Sequence, residues 1–195
     1  GGLADALTIA IDTTYHCFAL SSAAGATTDF GFDTSLTAAN LLADAAVVSA
    51  GLTKYKRIKG SLVTDGSANI INGDFYFDDS GNCEFILKDP IEDFDDTVSS
   101  TAANITVTIP TGLALEYIGV AQCATGATNS AYLYSPSSND VSVTINYDTS
   151  IKNISGASTR SPLRIRTNTS SQIRAVASGN ITIALYTQGW VDNNL

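Results

Sequence analysis

Short runs of alternating apolar and polar residues, each cut by Gly, Asn, Asp, Ser or Pro, recur along almost the whole chain. That rhythm constrains the fold more than any other feature, because a period of two puts one side of each run into a core and leaves the other in water. Residues 104–109 alternate cleanly and stop at Pro110. Residues 74–78 and 83–87 flank Asp79, Ser80, Gly81 and Asn82, a hairpin signal. Further strands are expected over 7–11, 15–20, 57–64, 115–122, 131–134, 141–147, 163–167, 172–178 and 181–190, with turns at 12–14, 25–28 and 65–69. One segment breaks the rhythm. Over 37–50, Leu41, Leu42, Ala45 and Val48 fall near a 3.6-residue spacing, with Thr37 placed to cap and Gly51 to terminate. A short helix and an irregular loop fit that segment equally well. No strand–helix–strand alternation is present, so the expected fold is all-β: an antiparallel β-sandwich or jelly-roll-like domain, with that one short helix as an option. At 195 residues, residues 1–195 fit a single domain of this class, which buries roughly 70% of its unfolded surface.

The charges exclude some partners. Nineteen acidic residues against ten Lys and Arg give a formal net charge of −9. Nucleic-acid binding by phosphate neutralisation needs a basic face, and an anionic membrane surface would repel this chain. No apolar run is long enough to enter a bilayer. A soluble chain with neither nucleic acid nor membrane as partner is therefore expected. The absence of Met and the Gly-Gly start suggest a processed product or an excised domain.

Signals for chemistry are weak. Cys17, Cys83 and Cys123 match no zinc spacing; they read as buried thiols, or as one disulfide and one free thiol. His16 is the one histidine, so a His-rich zinc site is excluded and any Ser-His-Asp triad would have to use it, without a G-x-S-x-G elbow. Asp74, Asp78, Asp79, Glu84, Asp89, Glu92, Asp93, Asp95 and Asp96 could offer oxygens to calcium, but 78–82 lacks the EF-hand spacing and reads better as turn chemistry. A glycosidase would need two carboxylates about 5–9.5 Å apart across a cleft, which a sequence does not specify. No enzyme, cofactor or metal site is expected.

Four stretches do carry a specific likeness. Residues 55–70 (YKRIKGSLVTDGSANI) look like the YRRIGS-x-LTD-x-SGNI segment of phage and prophage tail fibres. Gly1, Gly2 and Leu3, followed by Tyr15 and His16, are similar to the opening GGLDTG…WYHV. Residues 163–175 (LRIRTNTSSQIRA) resemble LRTNTSGQIRARAS, and Thr187 to Asp192 (TQGWVD) resemble the closing TLGWID. In this order they span nearly the whole chain, which thus resembles the C-terminal head domain of bacteriophage tail-fibre proteins. Lys56 and Lys59 depart from Arg and Gly, Ser171 replaces a Gly, and the region between residues 23 and 51 is longer and richer in Ala than the pattern. The resemblance implies a β-sandwich at the end of a homotrimeric fibre, in contact with other virion fibre proteins and with a host cell-surface glycan or envelope component. It also implies a place on the virion, after synthesis in the bacterial cytoplasm. It brings no catalytic residues.

For binding, Tyr132, Tyr134, Ser137, Asn139 and Asp140 are the candidate ligand residues, together with Ser135. They surround an expected loop at 135–140, and loops on rigid sheets are where recognition concentrates. A plain turn is the competing reading. Arg57, Arg164, Arg166 and Arg174 are expected to pair with the acidic segment 89–96, within or between protomers. They could also fork onto an anionic sugar or phosphate. Trp190 is expected to anchor a core or interface. Asn-x-Ser/Thr triplets at Asn104, Asn153, Asn168 and Asn180 follow from composition. The apolar stretch 181–185 is the chain's own motive for trimerisation. A host-contacting fibre domain, a purely structural virion module without its own ligand, and a polysaccharide-degrading enzyme remain the three functional alternatives, in that order.

Overall fold

The computed structural model describes residues 2–4, 6–123, 129–140, 151–152 and 158–193. The described residues form three β-sheets and two short helices. In order these are β1 (Gly2–Leu3), β2 (Thr14–Ser22), β3 (Thr28–Asp33), α1 (Ala39–Ala43), α2 (Ala45–Ser49), β4 (Leu52–Val63), β5 (Gly73–Phe77), β6 (Cys83–Val98), β7 (Ala103–Thr106), β8 (Glu116–Cys123), β9 (Ser130–Tyr134), β10 (Ile151–Lys152), β11 (Thr159–Arg166), β12 (Gln172–Ala177) and β13 (Ile181–Asp192). The expected all-β architecture is present. The strand expected at 141–147 lies outside the described residues.

Two sheets, β11-β8-β13-β6-β5 and β10-β9-β12-β7, pack their alternating apolar faces together as a sandwich. Phe85, Leu87, Tyr117, Ala121, Leu163, Ile183, Leu185 and Trp190 meet Ile105, Ala131, Leu133, Ile173 and Ala175 in one cluster. Trp190 stacks on Phe85 at 4.4 Å between ring centroids, so it is a core anchor. Gly119 leaves room for the Tyr117 ring, whose hydroxyl would collide with any added Cβ. A β-bulge opposite Leu185 and Tyr186 makes Asp93 an extra residue in β6. Its carboxylate accepts from the Thr108 backbone N–H and hydroxyl and from the Thr187 hydroxyl. β13 occupies the middle of its sheet, between β8 and β6. Ile181, Ile183 and Leu185 are therefore buried inside the chain's own core, and the apolar stretch that motivated trimerisation is already covered intramolecularly.

The N-terminal part has a different construction. Its sheet, β1-β3-β2-β4, is backed by α1 and α2 over a smaller core of Ala4, Phe18, Leu20, Ala38, Leu41, Val47 and Leu52. The helical segment is split at Asp44, whose backbone is extended and whose carboxylate accepts from Ala46 and Val47 N–H to cap α2. Thr37 does not cap α1. The buried Asp33 carboxylate does that work, accepting from the Asn40 and Leu41 amides at 2.8 and 3.0 Å. Gly51 terminates α2 in the left-handed conformation, φ +68°, as its position suggested.

Two strand expectations need correction. Residues 7–11 form no strand: Ile9 and Ile11 are exposed, and the segment pairs with no strand of the sheet. Side chains tie this segment down instead: the Tyr15 hydroxyl accepts from Ala10 N–H and donates to the Thr8 carbonyl, and Thr64 donates to the Ala10 carbonyl. Conversely β3 forms where none was expected. Its middle residue, Gly31, lies so close under Leu41 that an added Cβ would meet the Leu41 side chain at 2.6 Å.

Candidate functional site

Residues from three of the four tail-fibre-like stretches meet where the N-terminal sheet joins the sandwich. Arg57 of β4 forks onto Asp192 of β13, with Nη1–Oδ2 at 2.6 Å and Nη2–Oδ1 at 3.1 Å. Gly60 N–H donates to the same carboxylate at 3.3 Å. Asp192 is 1% exposed, and a carboxylate so buried needs such partners. Beside it, His16 Nδ1 lies 2.8 Å from the Ser61 hydroxyl, and the Cys17 thiol donates to the Gly60 carbonyl. Burial, and then the Arg57 charge, lower the His16 pKa to about 4. Burial raises Cys17 and Cys83 to about 11. Residues of the opening, the 55–70 stretch and the TQGWVD stretch thus form one buried polar seam.

That seam contains a serine beside a histidine, yet it is not arranged as a triad. His16 and Ser61 are 2% and 1% exposed. The Asp33 oxygens serve Ser35, Asn40 and Leu41, while those of Asp192 serve Arg57 and Gly60. Among the described residues no carboxylate hydrogen-bonds the imidazole to orient it, as the triad mechanism requires.

The predicted recognition patch is only partly assembled. Tyr132 and Tyr134 stack with centroids 5.0 Å apart on the outer face of β9. Tyr134 donates to Asp140 at 2.8 Å. Arg174, reaching from β12, holds both Asp140 oxygens and also donates to Asn104 at 3.0 Å. These bonds lower the Asp140 pKa to about 2, Arg174 being the main cause. Ser137 and Asn139 are exposed on the turn, where Ser137 bonds Ser135. The patch is a loop closed on its own sheet, with its best anion partner already engaged.

The arginine expectation is corrected in the same way. Among the described residues the salt bridges of these arginines do not reach segment 89–96. Arg57 takes Asp192, Arg174 takes Asp140, and Arg164 bridges Glu84 and Glu116 at 2.8 and 2.7 Å. Arg166 donates to Asn193 at 2.8 Å. Segment 89–96 is itself part of β6, paired along β13. Among the described residues no three His, Cys, Asp or Glu side chains converge as a metal site.

The sequence did not reveal the hollow on the outer face of the five-stranded sheet. Cross-strand register aligns Tyr76, Glu84, Val191, Glu116 and Arg166 in one row. Arg164 lies beside this row and draws Glu84 and Glu116 together. With Phe77, Asp78, Asn82 and Asn193, all of these except Arg166 line a hollow of about 380 Å³. Tyr76 and Phe77 are 56% and 62% exposed. The alternation of β5, β6 and β8 was readable in sequence, but the row depends on strand order.

Comparison with known proteins adds little. No family model and no curated protein matches the chain. Among solved structures it is similar to a chain in the structure of infectious bursal disease virus, Gx strain, at 13% identity and a TM-score of 0.28. The match covers 95% of this chain and 52% of that one. A likeness this slight carries no argument about fold or function.

Proposed function

We propose that this chain is a non-enzymatic module of a virion fibre that contacts the surface of a bacterial host. The observation that carries the reading is the set of four ordered stretches resembling tail-fibre head domains. The seam that three of those stretches build agrees with a scaffold role for them, which leaves ligand contact to outer surfaces. The test is adsorption of the purified, fluorescently labelled chain to a panel of Gram-negative and Gram-positive bacteria, followed by competition with phage that infect the bound strains. Saturable binding to some strains and protection of those strains from infection are expected. Absence of binding across strains would overturn the reading.

A purely structural virion module is the second reading, and a specific observation favours it: Asp140, Tyr134 and Arg174 satisfy one another in the loop that looked most like a recognition site. Homotrimer assembly belongs to the proposal as well, and rests on the resemblance. A monomeric mass from light scattering at micromolar concentration would remove it.

A further inference from the structure

We propose that the hollow between β5 and the Arg164 fork is a binding site for a neutral pyranose sugar. This inference rests on the proposed host-surface role and names the ligand chemistry of one face. Three observations converge on it. First, Tyr76 and Phe77 expose their rings at the edge strand β5, and Tyr76 stands directly opposite Glu84 in the register. Exposed rings at a rim offer a flat apolar surface to the C–H face of a sugar. Second, the polar groups beside them are held in place yet incompletely used. Arg164 gives one N–H to Glu116 and one to Glu84, each received by Oε1. A guanidinium has five donors and each carboxylate two oxygens, so further N–H groups and both Oε2 atoms remain for hydroxyls. A vicinal diol matches that mixture, since each hydroxyl both donates and accepts. Third, the lining selects by charge. Asp78, Glu84 and Glu116 face a single lining cation, Arg164. Lys59 and Arg166 stand at the edges, bonded to Asn82 and Asn193. A sialic acid or phosphorylated sugar seated in the hollow would meet a lining of three carboxylates against one guanidinium.

A protein partner fits less well. Interface centres are depleted of charged side chains, whereas this hollow has a charged fork at its middle.

The experiment is a ¹⁵N–¹H NMR titration of the whole chain with the methyl glycosides of glucose, galactose, mannose and N-acetylglucosamine, and with N-acetylneuraminic acid as the anionic comparator. At least one neutral glycoside should shift the amides of β5 and those around Glu116 and Arg164, with millimolar affinity, while N-acetylneuraminic acid does not. Tyr76→Ala and Glu116→Gln should each weaken that binding about tenfold, with spectra elsewhere unchanged as evidence of folding. No shifts from any neutral glycoside would overturn the site, as would equal binding of the anionic sugar or unchanged affinity in both variants. A light-scattering mass that drops in Tyr76→Ala, with no sugar response in the parent, would make the face an interface between copies and overturn it too. The bacterial adsorption assay separates the two claims. Adsorption unchanged by Tyr76→Ala sinks the site and leaves the host-contact role standing. A sugar response in a chain that adsorbs to no strain does the reverse.

Discussion

The two halves of this molecule reach stability by different routes. The sandwich has a continuous apolar interior running from Phe85 to Trp190 and lined by both sheets. The helix-backed N-terminal sheet has a core of seven described residues, supplemented by side chains that hold backbone: Asp33 under α1, Tyr15 and Thr64 around residues 8–10, and His16 on Ser61. Burial is non-directional and scales with area, so the sandwich tolerates local losses. A polar strap depends on each partner. The N-terminal half is accordingly the part whose order hinges on single groups, and the Arg57–Asp192 fork ties it to the larger half, beside the Thr111–Thr14 bonds and Val63 in the sandwich core.

The sharpest way to break that contrast is to cut the tie. Asp192→Ala leaves Arg57 13% exposed without its carboxylate, and breaking one side of a buried pair typically costs about 3–5 kcal/mol. Amide exchange in β2, β3 and β4 should accelerate far more than in β8 or β12. Equal acceleration everywhere would mean that the halves are not separable. Next in size are two core truncations. Trp190→Ala should cost about 3–5 kcal/mol and lower the global denaturation midpoint, whereas Leu41→Ala should cost about 2–5 kcal/mol and act mainly on the N-terminal half. Exchange measured by mass spectrometry distinguishes a local from a global loss.

Acid should act on the seam before it acts elsewhere. His16 has a folded pKa of about 4 against an ordinary 6.5, so the unfolded chain binds the proton first. Stability is then complete above pH 6.5, falls as pH drops through the interval to about 4, and levels off below it. The shift from 6.5 to about 4 corresponds to roughly 3 kcal/mol. Chemical denaturation at several pH values, with His16→Gln as the control, should show that slope in the parent and lose it in the variant. Smallest is Ala68→Gly. Ala68 has φ +61°, a conformation that costs a residue with a Cβ about 1–2 kcal/mol, partly offset by the glycine's greater freedom when unfolded. A gain of about 0.5 kcal/mol is expected from denaturant midpoints.

Elements set by neighbours in sequence were legible; elements set by distant partners were not. The 78–82 turn was readable because Asp78 and Asn82 close it locally, through the Asn82 amides and the Gly81 backbone at φ +73°. The 65–69 turn and the Gly51 helix end were readable for the same reason. Residues 7–11 alternated as a strand does, but alternation says nothing about whether a neighbouring strand exists. The Tyr134 loop was correctly placed, but the Arg174 contact that closes it was not legible, because Arg174 reaches Asp140 from 34 positions away. Ser171 departs from the glycine of the tail-fibre pattern at a backbone of φ +57°, and it is tolerated there by a hydroxyl lying 3.0 Å from the Ile109 and Pro110 carbonyls. The hollow needs five strands in register before Tyr76, Glu84, Val191, Glu116 and Arg164 come together.

The central position of β13 has a consequence for how the molecule is made. β8 and β6 cannot pair with each other; each waits for a strand that leaves the ribosome after both. Arg57, translated 135 positions earlier than its partner, likewise waits with its charge unanswered. A nascent chain shorter than residue 181 would hold two exposed strand edges and a loosely docked N-terminal half, a state open to proteases and to pairing with other chains. β13 thus closes its sheet and supplies the Asp192 carboxylate to Arg57 only once the chain has been translated through Asp192.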